Sequence, residues 1–331
     1  MNYSQSKEIL EKVKKARKIL INCHRGPDSD SIGSALALYQ VLEKMGKEVE
    51  LICPSEIPAA VKFMPGIEKI RAEVDFAKFN FSKFDLFFTL DSSNWDMVAG
   101  DKNISQPTIP IIVIDHHKTN TKYGEINLVD ENVTSVGELL YYVLEDWGAE
   151  LNKEIATALL VGIVGDTGAF RFPGTGWPTL NVAGKLMKLG ADKDEVVFNI
   201  YHSSSLELLK FWGEILKVME IDEIGKFAWS AIPHEKFVEL GSIKDAKETA
   251  ATTFAQIVDT TEFGFIAVED EKNSLTISFR SRTGFDTSQI ALALGGGGHV
   301  YASGARITGL PFDQAVEKVL ETCRKFAKQN V

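Results

Sequence analysis

The stretch ILINCHRGPDSD, residues 19–30, sets a short apolar run directly before a histidine, a Gly-Pro turn and two aspartates. A run that is apolar on both faces suits a strand inside a parallel sheet, because helices cover both sides of such a sheet. The pattern recurs along the first half of the chain. VELIC (49–53) is a second run; DLFFTL (85–90) runs into Asp91, and IPIIVI (109–114) runs into Asp115-His116-His117. Between the first two runs, SIGSALALYQVLEKMG (31–46) carries apolar residues at helical spacing. Strands alternating with helices read as an α/β domain, a mostly parallel sheet with helices on both faces.

After the fourth run the texture turns helical. SVGELLYYVLEDWG (135–148), NKEIATALLVGIVGD (152–166) and GWPTLNVAGKLMKLG (176–190) are punctuated by Gly or Pro. Residues 192–220 continue with helical spacing and read as a connector or hinge. From residue 221 the strand-like pieces KFAWSAIP (226–233), FGFIAVED (263–270) and SLTISFRS (274–281) alternate with helices, and PFDQAVEKVLETCRKFAKQ closes the chain as a helix. That is a second, smaller α/β unit. The expected organisation is therefore 1–191, 192–220 and 221–331, and 331 residues exceed what one ordinary core holds.

Composition narrows the function. With 46 acidic against 36 basic residues, the net charge of -10 argues against a broad basic face that coats long nucleic acid. A short anionic ligand in one local site is allowed. No apolar run approaches the roughly 20 residues that a membrane helix needs, and the start, MNYSQSKEILEKVKKARK, is charged and amphipathic, so a cytoplasmic address without a membrane is expected. Cys23, Cys53 and Cys323 are scattered and odd in number, which fits small buried hydrophobes better than disulfides or thiolate ligands. His202 and His234 read as structural, and the five tryptophans are spread as packing residues. The phosphate loop of nucleoside triphosphatases does not occur.

Position is the informative feature of the polar residues. His24, Asp91 and Asp115-His116-His117 each follow a strand-like run, and open parallel sheets bind ligands outside the carboxyl ends of their strands. Asp28 and Asp30 share the turn after the first run, and Asp166 ends another apolar stretch. Each has an ordinary reading by itself: an N-cap pair, a capping carboxylate, surface histidines. Together His24, Asp28, Asp30, Asp91, His116 and Asp166 form a nitrogen and oxygen set with four carboxylates and no thiolate. Such a set suits a pair of divalent cations, Mn²⁺ first and Mg²⁺ or Co²⁺ after it, better than structural zinc.

His24-x3-Asp28-x-Asp30, Asp91, Asp115-His116-His117 and GDTGAFRF around Asp166 resemble the ordered motifs of the DHH phosphoesterase superfamily. Ser281-Arg282-Thr283-Gly284, Asp286-Thr287-Ser288 and Gly295-Gly296-Gly297-Gly298-His299 resemble its DHHA1 substrate-binding domain. The resemblance is closest to the nano-RNase and 3'-phosphoadenosine 5'-phosphate phosphatase type. It implies one ion on His24, Asp28 and Asp91, and a second on Asp30, Asp91, His116 and Asp166, with Asp91 between them. Two such ions about 4 Å apart would acidify a water and neutralise phosphate oxygens during in-line attack on phosphorus. His117 is implied beside the scissile phosphate as a donor, with Asp115 orienting an imidazole. Ser281, Arg282, Gly296, Gly297, Gly298 and His299 are implied to grip one end of the substrate, the glycines as a backbone nest for a phosphate.

The implied substrates are short RNA or DNA oligonucleotides, pApA or small nucleotides, and family members are often homodimers. Alternatives are a cyclic di-AMP phosphodiesterase, a family II inorganic pyrophosphatase, and a non-catalytic nucleotide sensor. Ser29 stands where the nuclease branch usually has Gly.

Overall fold

The computed structural model describes residues 3–172, 174–243, 246–298 and 300–328, so His299 lies outside the described residues. The chain divides into two compact units, Met1–Ser203 and Ser204–Val331.

The first unit runs α1 (Ser4–Lys15), β1 (Lys18–Asn22), α2 (Ser29–Lys44), β2 (Glu48–Ile52), β3 (Ile70–Arg71), β4 (Leu86–Leu90), α3 (Trp95–Ala99), β5 (Ile111–Asp115), β6 (Ile126–Val129), α4 (Val136–Asp146), α5 (Lys153–Asp166), α6 (Trp177–Lys188) and α7 (Lys193–Tyr201). Its six strands are all parallel, in the order β3-β2-β1-β4-β5-β6. The four expected strands form the centre, and the short β3 and β6 are added at the edges. Strand order reverses between β1 and β4, so the connections leaving these two strands run in opposite directions and open a crevice at their carboxyl ends.

Alternation along each strand splits the core between the two faces of this sheet. Ile19, Ile21, Phe88, Leu90, Ile112 and Ile114 join a cluster supplied by α1, α2, α4 and α5. Leu20, Phe87 and Val113 face the other way, onto Val74, Phe76, Phe84 and Trp95, Val98 of α3. Burying each such side chain contributes about 1.5–3 kcal/mol, which makes these central strands a rigid base for the polar turns at their carboxyl ends.

The second unit runs α8 (Leu206–Lys217), β7 (Glu220–Asp222), β8 (Phe227–Ile232), α9 (His234–Glu239), α10 (Ala246–Phe254), β9 (Phe263–Glu271), β10 (Ser274–Ser281), α11 (Thr287–Ala293), β11 (Gly297–Gly298), β12 (Ala302–Thr308) and α12 (Phe312–Ala327). The strand order is β11-β12-β10-β9-β8-β7; only the β8–β9 pair is parallel. Phe227, Phe265 and Phe279 pack under α11 and α12, while Ile232, Ile266 and Val268 pack under α8 and α10.

The stretch 192–220, expected as one connector, is divided between the two units. Val196 of α7 is buried in the first core, whereas Phe211 and Ile215 of α8 are buried in the second. The two helices send buried side chains into different cores, so the stretch that packs in neither is reduced to the exposed residues 202–205.

Candidate metal centre

Asp91 follows β4 directly. Its N–H donates to the Ile114 carbonyl at 3.1 Å, and its backbone has φ +52, a left-handed conformation that Asp and Asn tolerate better than other non-glycine residues. That turn leaves the carboxylate 3 % exposed at the sheet's carboxyl edge.

His24 follows β1 and is also buried. Its Nδ1 donates to the Arg25 carbonyl at 3.0 Å; a carbonyl only accepts, so Nε2 is the nitrogen that faces the carboxylates. Nε2 stands 3.4 Å from Asp91 Oδ2 and 3.8 Å from Asp28 Oδ1. Asp28 is the N-cap of α2, its Oδ1 accepting the N–H groups of Asp30 and Ser31, each at 3.0 Å. The ordinary capping reading is therefore true, and the cap aims the same carboxylate at His24.

Asp30 lies in the first turn of α2 and is fully buried. Its Oδ2 accepts Val136 N–H at 2.6 Å and its Oδ1 accepts Gly137 N–H at 2.8 Å, which places the carboxylate against the positive amino end of α4. Burial, together with the charges of Asp166 and Asp91, still pushes this carboxyl well above the usual range. Asp166 is the last residue of α5, at a helix carboxyl end rather than a strand end. A carboxylate there opposes the helix dipole. Burial and the nearby Asp28 and Asp91 push it up to about 6, against the opposing effect of His116.

His116 Nε2 lies 3.2 Å from Asp166 Oδ2 and 3.6 Å from Asp91 Oδ1. Burial disfavours the imidazolium of His24 and of His116, yet their facing carboxylates raise both well above the usual value. Burial likewise opposes charge on Asp91, but the two imidazoles outweigh it and hold its carboxyl far below the carboxylate range. Among the described residues, buried Asp91 Oδ1 and His116 Nε2 have no hydrogen-bond partner. Leaving such atoms unpaired is costly, and a cation among them removes the cost.

The donor atoms of His24, Asp28 and Asp91 lie within 4.8 Å of one another, as do those of Asp30, Asp91, His116 and Asp166. Asp91 belongs to both groups, and to a third with His116 and His117. This all-nitrogen and oxygen set, rich in carboxylate, fits divalent cations of the hard or borderline kind.

Beneath these groups, fully buried Asp115 accepts His116 N–H at 2.9 Å and His117 Nδ1–H at 2.8 Å on Oδ1, and Asn120 Nδ2 at 2.6 Å on Oδ2. Asn120 also donates to the Ser92 carbonyl at 3.1 Å, so it ties the triplet to the Asp91 turn. Sequence reasoning passed over Asn120; its only signal is an amide three residues beyond His117.

The glycines of the helices explain how Asp30 reaches the centre. A Cβ at Gly33 would stand 2.4 Å from the Ala158 carbonyl, and one at Gly162 would stand 2.3 Å from Asp30 Oδ1. Helices α2 and α5 thus cross in near backbone contact, and Asp30 is seated in the crossing.

The expected substrate residues lie in the second unit. Ser281 ends β10 and its Oγ accepts Gly284 N–H at 3.0 Å; Arg282 donates through Nη1 to the Thr261 carbonyl at 3.1 Å. The described part of the glycine run closes α11 and then forms the exposed edge strand β11. Gly296 N–H donates to the Ala291 carbonyl at 2.8 Å, which closes α11, and Gly297 and Gly298 pair with β12 as β11. A Cβ at Gly296 would stand 2.1 Å from the Gly304 carbonyl, so close passage along β12 accounts for glycine there.

The DHH family, N-terminal domain, matches residues 18–163, and the DHHA1 domain matches residues 235–329. The Thermus thermophilus bifunctional oligoribonuclease and PAP phosphatase NrnA is 31% identical over 313 residues, covering 93% of this chain and 89% of that protein. The Bacillus subtilis protein of the same name is 26% identical over 326 residues, covering 98% and 99%. Among solved structures, an exopolyphosphatase-related protein from Bacteroides fragilis shares the fold, with a TM-score of 0.90 at 24% identity over 98% of this chain and 97% of that one. With both domains matched and relatives similar over nearly the full length, the chain belongs to the DHH phosphoesterase family and carries a DHHA1 domain behind its DHH domain.

Proposed function

We propose that this protein hydrolyses short oligonucleotides such as pApA to mononucleotides, and 3'-phosphoadenosine 5'-phosphate to AMP, with two divalent cations, Mn²⁺ being the first choice. The carrying observation is a pair of buried atoms that make no hydrogen bond, Asp91 Oδ1 and His116 Nε2, at the overlap of two donor groups. The names of the relatives above supply the substrate class.

His24, Asp28 and Asp91 would hold one cation, and Asp30, Asp91, His116 and Asp166 the other. When bound, such a pair supplies an acidified water and charge neutralisation at a phosphate. The protein's part is to keep the donors fixed: the Arg25 carbonyl sets the His24 tautomer, and the amino end of α4 holds Asp30. Asp115 holds His117 at Nδ1 and so orients the imidazole that would exchange a proton with the substrate. Burial opposes charge on His117, while the Asp115 carboxylate at its Nδ1 favours the protonated ring that would donate to a phosphoryl or leaving-group oxygen. Arg282 and Ser281 would bind the far end of the substrate. A cytoplasmic address belongs to the same reading and is supported by three free, buried thiols. No helix among the described residues is long and apolar enough to cross a membrane.

The test is incubation of the purified protein with Mn²⁺ and pApA, a three-residue RNA, 3'-phosphoadenosine 5'-phosphate, cyclic di-AMP and pyrophosphate. Release from the first three is expected to dominate. Hydrolysis of pyrophosphate alone, or of none of the five, overturns the proposal.

A further inference from the structure

The turn after Asp166 carries three successive left-handed residues: Gly168, Ala169 and Phe170 have φ of 57, 56 and 66°. Two of them are not glycine, and such conformations persist in L-residues only when the surroundings enforce them. Here hydrogen bonds do so. Ala169 N–H donates to the Val164 carbonyl at 2.8 Å, Phe170 N–H to Thr167 Oγ1 at 3.0 Å, and Arg171 N–H to the Thr167 carbonyl at 2.8 Å. The chain therefore doubles back over the carboxyl end of α5, and the side chain it delivers there is Arg171.

Arg171 is held at two points. Its Nε donates to the Gly168 carbonyl at 2.6 Å, and its guanidinium lies 5.8 Å from the centroid of the Tyr201 ring. Tyr201 in turn donates its hydroxyl to the Val164 and Gly165 carbonyls, each at 3.2 Å, directly before Asp166. Burial, with Arg171 opposing and Asp166 adding, pushes the Tyr201 phenol up to about 12, so both charges act on the same ring. Yet the residue is exposed, and among the described residues no carboxylate comes within 4.0 Å of the guanidinium. Nη1 and Nη2 are left as a fork just past the helix end that carries Asp166, and bidentate capture of phosphate is what arginine geometry favours.

We infer that Arg171 forms a second phosphate subsite beside the metal centre, holding the substrate phosphate that is not cut. This rests on the proposed hydrolysis of nucleotides. The shared chemistry is a phosphate on the nucleoside bearing the scissile bond, whether in a nucleoside 3',5'-bisphosphate or at the 5' end of a dinucleotide. Arg171 binds and orients this group, and no bond to it forms or breaks.

The test compares the parent protein with Arg171→Ala and Arg171→Lys. KM is measured with Mn²⁺ for adenosine 3',5'-bisphosphate against adenosine 3'-monophosphate, and for pApA against ApA; Mn²⁺ affinity is measured by calorimetry. For Arg171→Ala the KM ratio of the two-phosphate to the one-phosphate member is expected to rise about tenfold, through KM rather than kcat, with Mn²⁺ affinity kept within about twofold. Lysine should recover part of the loss. A rise on the bisphosphate pair alone assigns the small nucleotide as the ligand, and a rise on both pairs includes the dinucleotide; either supports the inference. Equal loss on one-phosphate and two-phosphate members, unchanged ratios, or loss of Mn²⁺ affinity overturns it. A parent that hydrolyses none of the four overturns the proposed function and this inference together, whereas an active parent matched by its Arg171 variants overturns this inference alone.

Discussion

The Asp91 carboxylate joins every donor group of the metal centre while its backbone sits at φ +52. Alanine would add strain at that angle, so asparagine, which tolerates the left-handed region, is the cleaner substitution. Asp91→Asn is expected to lower kcat/KM by about a thousandfold, the several kcal/mol that metal charge supplies to phosphoryl transfer, with an unchanged circular-dichroism spectrum. Parent-level turnover would remove Asp91 from the centre.

Protons take the place of cations when metal is absent. Asp166, pushed up to about 6, and Asp30 stay protonated in the folded state at pH values where the unfolded chain, titrating near 4, has released them. The folded state then binds more protons than the unfolded one, so stability falls as pH rises through this window. His24 and His116 act in the same direction: their raised pKa gives stability that is full below about 6.5 and lost as pH rises through the folded value. The depressed Asp91 contributes above about 4 and is lost only in strong acid. Calorimetry of chelator-treated protein should therefore show Tm falling from pH 5 to 8, and Mn²⁺ should raise Tm most at the upper end. A metal-free Tm that climbs with pH would contradict this charge balance. At this scale the six candidate donors stand out in the sequence because each ends an apolar run or lies on the turn that follows one. Asn120 and Arg171 do not, since their roles depend on what the folded turns place next to them.

At the level of elements, the crossing of α2 and α5 decides whether Asp30 can occupy the centre. Gly162→Ala would ordinarily help a helix, but here its Cβ would meet Asp30 Oδ1 at 2.3 Å and Asp30 Cα at 3.3 Å. Overpacking of this kind costs about 1–3 kcal/mol, so a Tm lower by about 2–8 °C and weaker Mn²⁺ binding are expected. Gly184→Ala in α6 is the control: nothing lies within 4 Å of its Cβ, and a gain of up to about 1 kcal/mol is expected. If both substitutions stabilise, the close crossing is not tight in solution. The central strands β1, β2, β4 and β5 were readable as continuous apolar runs. The edge strands β3 and β6 were not, because two and four residues are too few to display a period. The letters of the glycine run do not reveal that β12 passes alongside it.

For the molecule as a whole, each unit has its own sheet and its own buried clusters, and all six candidate metal donors belong to Met1–Ser203. Limited proteolysis is expected to cut first within the exposed 202–205 segment, and the fragment ending there should keep Mn²⁺ affinity within a few-fold. First cuts inside 192–201 or 206–220 would instead favour the single long connector.

Apolar patterning is a local property, and so the letters alone carried the parallel α/β sheet, the second α/β unit and the polar residues at strand and helix ends. Which of those polar residues come within 4.8 Å of each other, which glycines yield space to Asp30 and which arginine is left without a carboxylate are matters of three-dimensional neighbourhood. Segments distant in sequence set them by crossing, capping and turning, and no window of sequence contains those contacts.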